Sequence, residues 1–228
     1  MTESANTLRH LMQARYSCRA FLPDPVPENT IEAILDTARH TASWNNTQPW
    51  QVVVTRGHET EKFRAALIHE VQTGKPGPDL PWPEAYPDEL GARRRTCGYA
   101  LYNAVGIARE DREARARQSM RNFKLFDAPH VAILHTPAVL GPYGALDAGG
   151  FLTAFMLAAT AHGLGTIAQA AVAAYPELIR RHFALSEDRL ILCAISFGYA
   201  DADDPVNQYR TERVTVADLL DTRGNSSV

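Results

Sequence analysis

Three side chains near the amino terminus have the types and spacing to hold a phosphate. Arg15, Ser17 and Arg19 stand at i, i+2 and i+4 within Arg15-Tyr16-Ser17-Cys18-Arg19, so an extended backbone points all three to one face. Two guanidinium forks and a hydroxyl match a phosphomonoester dianion, which arginine grips in bidentate fashion. Alone, the run reads equally as an edge strand with solvated charges. A second run, Ser43-Trp44-Asn45-Asn46-Thr47-Gln48-Pro49-Trp50, shifts the balance. It places five polar side chains and an indole in one short loop, and polar groups held between core elements must hydrogen-bond something.

The flanking elements explain why that loop is confined. Ile31, Ile34, Leu35 and Ala38 give the i, i+3, i+4, i+7 stripe of an amphipathic helix, with Pro27 suited to its first turn. After Pro49, the run Trp50-Gln51-Val52-Val53-Val54 reads as a buried strand. Residues 58–73 predict a second helix, with Phe63, Ala66, Leu67 and Val71 on one face and Gly74 as its stop. The stretch 74–91 contains five prolines together with Trp82 and Tyr86. It cannot be a regular element, and reads as a surface linker or a lid. Residues 92–124 predict one or two helices whose interleaved charges form a solvated face.

Strands are expected at 130–135, 165–168 and 190–197, with a short helix at 176–183. Residues 151–164, preceded by Gly149-Gly150, form a helix apolar on nearly all sides. It is too short to span a bilayer and belongs in a core or a subunit interface. Residues 170–174 read as helix by propensity alone. Strands separated by helices imply a sheet layered with helices. Gly163-Leu164-Gly165 lacks the remaining elements of a dinucleotide-binding fingerprint.

Composition narrows the classes further. With 228 residues and 45% hydrophobic content the chain can bury a substantial core. A net charge of −3 gives no reason to expect a nucleic-acid partner. Three scattered cysteines fit neither a disulfide framework nor a metal knuckle, and eight histidines show no ligand spacing. The first residues lack a secretory pattern, so a reducing cytoplasm and no membrane partner are expected.

Taken together, Arg15-x-Ser17-x-Arg19-x-Phe21, Val26-Pro27-x-x-x-Ile31 and Asn46-Thr47-Gln48-Pro49-Trp50 resemble the FMN-dependent nitroreductase family, nearest its nitrobenzoate reductase and mycobacterial NADPH-nitroreductase branch. The resemblance continues through residues 121–129, 168–171 and 204–213. It implies one α+β domain over 1–228, with a mixed, mainly antiparallel sheet flanked by helices, in an intertwined homodimer. Residues 74–91 would shape the substrate side, and 200–228 would form a carboxy-terminal extension.

The resemblance also implies FMN as cofactor and NAD(P)H as reductant. Arg15, Tyr16, Ser17 and Arg19 would surround the phosphate with Arg213, which we favour, or Arg210. Asn46 and Gln48 would meet the ribityl chain or ring edge, and Asn122 and Lys124 the pyrimidine side. A backbone N–H of Ala170 or Ala171, after Ala168 and Gln169, would face the ring N5. Here Ala168-Gln169-Ala170-Ala171 replaces the family's Pro-x-Glu-Gly, so an acidic side chain is lost but a backbone donor is not. Trp44, Tyr86 and Phe123 would wall the cavity for a small aromatic acceptor, nitroaromatic or quinone. Trp44 is bulkier than the small residue usual there. No side chain is expected to act as a nucleophile, and hydride would pass by a ping-pong route. The same fold also supports reductive dehalogenation, for which Lys75, Glu84 and Tyr86 are the available lid residues, flavin modification, or flavin binding without turnover.

Overall fold

The computed structural model describes residues 2–221. The elements run α1 (Glu3–Ala14), α2 (Glu28–Ala38), β1 (Gln51–Val54), α3 (His58–Thr73), α4 (Asp88–Ala104), α5 (Arg112–Met120), β2 (His130–Pro137), α6 (Gly141–Ala161), β3 (Gly165–Gln169), α7 (Pro176–Phe183), β4 (Arg189–Gly198) and α8 (Val216–Leu219). The strands stand in the order β1-β2-β4-β3, every neighbouring pair antiparallel. Among the described residues the one parallel pairing is an isolated bridge from Ser17 to Thr166.

Alternation along the central strands builds two cores, one on each face of the sheet. Ala132 and Leu134 of β2 pack with Ile31 and Ile34 of α2 and with Phe151 and Phe155 of α6. Val131 and Ile133 face the other way, onto Phe63 and Leu67 of α3 and Ile179 of α7. The result is helix on sheet on helix, and each such buried side chain contributes about 1.5–3 kcal/mol. β3 is an edge strand, and only its first half is covered, by Ser17 and Cys18.

Several boundaries depart from the sequence reading. The apolar helix starts at Gly141, not near 151, and passes straight through Gly149 and Gly150. Close packing explains Gly150, where a Cβ would stand 3.0 Å from Thr41 Cγ2. At 21 residues it is long enough to cross a bilayer by length alone, yet it packs along β2, β3 and α2. α1 has no counterpart in the sequence reading. It buries no residue, lies against α6 and is capped by the Ala5 N–H donating to Thr2 Oγ1 at 3.3 Å.

The proline-rich segment ends at Pro87, because α4 begins at Asp88. Its first half is tethered. The Gly77 N–H donates to Ala174 O at 2.8 Å, and Asp79 Oδ2 accepts from Arg180 Nη2 at 2.6 Å and from the Ile191 N–H at 2.7 Å. Trp82 and Tyr86 lie beyond these anchors and are exposed. The carboxy-terminal segment after β4 is described as far as Asp221, and residues 222–228 of the expected extension lie outside the described residues.

Candidate functional site

The two ends of the chain meet at the start of β3. The Cys18 N–H donates to Thr166 O at 3.0 Å, which fixes residues 15–19 as the extended run expected. The Arg19 N–H donates to Asn207 Oδ1 at 2.8 Å, and Asn207 Nδ2 donates to Ala20 O at 2.9 Å and Asp201 O at 2.7 Å. Asn207, only 3% exposed, thereby stitches the carboxy-terminal segment to the amino-terminal run. The sequence reading missed this role, although the residue stood in the 204–213 motif.

A cavity of about 280 Å³ opens where they join. Its walls include Arg15, Tyr16, Ser17, Arg19, Tyr209, Arg210 and Arg213, with no carboxylate among them. Arg19 is aimed by its Nη1, which donates to Ser17 O at 3.0 Å and Tyr209 Oη at 2.9 Å. Arg210 lies flat on Tyr16, 3.9 Å from the ring centroid, and donates to the carbonyls of Asn207 and Tyr209. Arg213 Nη1 is held by Thr211 and the Glu212 carbonyl. Burial, and then the charge of Arg213, hold the Arg15 guanidinium below its ordinary pKa. Like charges gathered with no carboxylate among the described lining residues suit an anion. Both carboxy-terminal candidates, Arg210 and Arg213, line the cavity, and Arg213 is the one whose charge acts on Arg15.

A second group of candidates lies along the open half of β3. Thr166 O points out of the sheet toward Cys18, so by alternation the backbone groups of Ala168 also point outward, and Ala170 follows in the turn just beyond β3. Both alanines are exposed, and Ala171 is half-buried. Gln169 points the opposite way. It is 2% exposed; its Nε2 donates to Asn122 O at 2.7 Å and its Oε1 accepts from Ser196 Oγ at 2.6 Å. Its side chain is therefore a strut that fixes residues 119–122 against the sheet.

Lys124 is exposed beside this strut, and Asn122 Nδ2 donates to Ser119 O at 3.2 Å. Phe123 packs edge-on to Tyr175 at 5.9 Å and belongs to the α3–α7 core more than to an open wall. The next residues, Leu125, Phe126 and Asp127, adopt φ of 56°, 53° and 62°. Three successive non-glycine residues in the left-handed region carry strain of the kind found at ligand clamps.

The remaining candidates sit elsewhere. Asn45, Asn46 and Gln48 also have positive φ, so six of the seven such non-glycine residues fall in these two segments. The Trp44 N–H donates to the Asp147 carboxylate at 3.2 Å, and its ring meets Tyr143 edge-on at 4.1 Å. The Gln48 N–H donates to Ser43 Oγ at 3.0 Å and Gln48 Nε2 to Asn46 O at 3.2 Å, leaving both side chains exposed. Asp147 lies in the first half of α6, whereas Arg15 and Tyr16 flank Thr160 near its end. Thirteen helical positions separate these points by about 20 Å. Within one chain, then, Trp44, Asn46 and Gln48 do not join the arginine cavity. Tyr86 is not among the lining residues of that cavity, and Arg94 lies 5.0 Å from its ring centroid.

The model of the nitroreductase family matches residues 12–199. Nitroreductase NfnB of Mycolicibacterium smegmatis is 35% identical over 215 residues, covering 94% of this chain and 92% of its own. A 4-nitrobenzoate reductase of Pseudomonas putida is also 35% identical, covering 89% of each chain. Among solved structures, the FMN-dependent nitroreductase NfnB from Mycobacterium smegmatis in complex with NADPH superposes with a TM-score of 0.91 at 34% identity, over 98% of this chain and 100% of its own. A cavity of unopposed arginines, a free edge of backbone donors and this likeness along almost the whole sequence place the chain in the nitroreductase family.

Proposed function

We propose that this chain is an FMN-dependent oxidoreductase that carries hydride from NAD(P)H to an aromatic nitro or quinone acceptor, and that it works as a homodimer. The observation that carries the reading is the arginine cavity: Arg15, Arg19, Arg210 and Arg213 come from opposite ends of the sequence and surround about 280 Å³ with no carboxylate among the described lining residues. That donor set fits a phosphate dianion. The names of the relatives support the rest, since they are nitroreductases and one is described with FMN and NADPH.

Bound there, FMN would supply a carrier that accepts hydride from NAD(P)H and passes it to the acceptor in separate half-reactions. The chain's own part is to bind and orient. Arg15, Ser17, Arg19 and Arg213 hold the phosphate. The backbone N–H of Ala170 would serve as the ring donor, and it needs no particular side chain. Lys124 would supply a cation to the pyrimidine edge, where negative charge develops.

Two observations support a second copy. Tyr143, Leu146 and Val139 stand 53%, 68% and 91% exposed at the start of α6, an apolar display that calls for cover. The 43–48 loop lies about 20 Å from the arginine cavity along α6, so a partner's loop is the means of bringing Asn46, Gln48 and Trp44 to the ring. Anaerobic titration tests the whole reading. The purified protein should be yellow, bleach with NAD(P)H and recover its colour with 4-nitrobenzoate. Colourless protein that rejects added FMN would sink it.

A further inference from the structure

We infer that the basic cavity between α4, α5 and the turn at 204–205 recognises an anionic group, phosphate or carboxylate, on an organic visitor to the site proposed above, and the inference rests on that reading. The cavity encloses about 790 Å³ and stands apart from the arginine cavity. Arg117 and Arg121 occur at i and i+4, one helical turn apart on a shared face, and Lys124 follows on the same wall. Asp204 is the one carboxylate in the lining, 4.0 Å from Arg121. Arg117 otherwise meets only Glu113, at 3.5 Å on its own exposed face. Three cations against one carboxylate leave the lining positive.

A second observation points to a ligand. Gln118, on the wall between the two arginines, is 9% exposed, and its amide nitrogen is buried with no hydrogen-bond partner. A buried donor without an acceptor is costly, and a turn of the Gln118 side chain into the cavity would let an oxygen of a bound anion satisfy it. Val105, Ile107 and Pro205 complete the lining with apolar surface, which suits an organic body more than a bare ion.

Position completes the case. The Gln169 side chain ties Asn122 O to β3 at 2.7 Å, so the end of α5 is fixed beside the strand edge that would face the ring. A reductant or acceptor lying on that ring could send a charged tail into this cavity. Two tails have the chemistry: the 2′-phosphate of NADPH and the carboxylate of a nitrobenzoate.

Calorimetry on the purified protein at low salt separates them, because exposed charge pairs weaken with screening. The probes are 2′-AMP against adenosine, and 4-nitrobenzoate against nitrobenzene. In one arm the charged probe should bind about tenfold tighter than its neutral partner, the value of one charge-assisted contact. Arg117→Ser and Arg121→Ser should each erase most of that gap while thermal midpoint and flavin content stay unchanged. The arm that shows the gap names the source. No gap in either arm, or a gap that both variants retain, overturns the inference. Loss of flavin binding in the wild-type protein would instead refute the proposed function, and the calorimetric comparison would still decide the anion site.

Discussion

Replacing Arg15 separates a ligand-binding cation from a structural one. Arg15 is charged in a half-buried position, and burial together with Arg213 disfavours that charge. Because its folded pKa lies below its unfolded value, its charge contributes nothing to the stability of the flavin-free chain at neutral pH. Arg15→Gln should therefore leave the flavin-free protein as stable as the wild type, or slightly more so. Its effect on FMN is the reverse. A charge-assisted contact is worth about 1.5–3 kcal/mol; taking about 2 kcal/mol, the Kd for FMN rises roughly thirtyfold.

With free FMN about a hundredfold above the wild-type Kd, binding stabilises the protein by about 2.7 kcal/mol, and a thirtyfold weaker site leaves about 0.9 kcal/mol. For a chain of this size each kcal/mol moves Tm by about 2–4 °C, so the FMN-induced rise should shrink by roughly 4–7 °C. The assay is differential scanning fluorimetry of flavin-free protein with FMN and, as control, riboflavin. Riboflavin lacks the phosphate, so the small shift it causes should be equal in both proteins. If Arg15→Gln destabilises the flavin-free chain by more than about 1 kcal/mol, or weakens riboflavin as much as FMN, the assignment of Arg15 to the phosphate is refuted.

Two further perturbations probe the scaffold. Asp79→Ala removes the partner of Arg180, whose side chain is 9% exposed, and the acceptor for the Ile191 N–H; Arg180 keeps the Arg189 carbonyl and Glu177, so a loss of about 3 kcal/mol in urea unfolding is expected, at the low end for a broken buried pair. His135 is buried beside Arg189, and burial first, then that charge, lower its pKa from 6.5 to about 4. The unfolded chain takes up the proton first, so this contribution to stability is complete above pH 6.5 and is lost as the pH falls toward about 4. His135→Gln, which keeps an acceptor for Arg189 Nε, should flatten the urea midpoint over that window; an unchanged slope would place the acid sensitivity elsewhere.

Some of this architecture was legible in the sequence because it depends on neighbours along the chain. Arg15, Ser17 and Arg19 share a face by simple alternation, and α3 and α7 were readable at their observed bounds. α1 escaped because periodicity detects buried faces, and this helix buries none. The start of α6 was misplaced because Gly149 and Gly150 carry the mark of a stop, yet the helix runs through both, and at Gly150 alone the close approach of Thr41 accounts for the missing side chain. The role of Gln169 was hidden for a different reason. Its partners, Asn122 and Ser196, lie 47 and 27 positions away, and only the folded sheet brings them together. The polar loop at 43–48 was recognisable by composition, but its place depends on which end of a long helix it abuts.

The uncovered half of β3 has a bearing on handling as well as on chemistry. A row of outward amides and carbonyls invites another chain to add a strand, and proteins ordinarily blunt such edges with charge or proline. Ala168 and Ala170 do neither. Material stripped of its prosthetic group should accordingly self-associate on storage, whereas the loaded form should stay dispersed, with the tricyclic ring acting as a guard rail along a seam the polypeptide leaves unsealed.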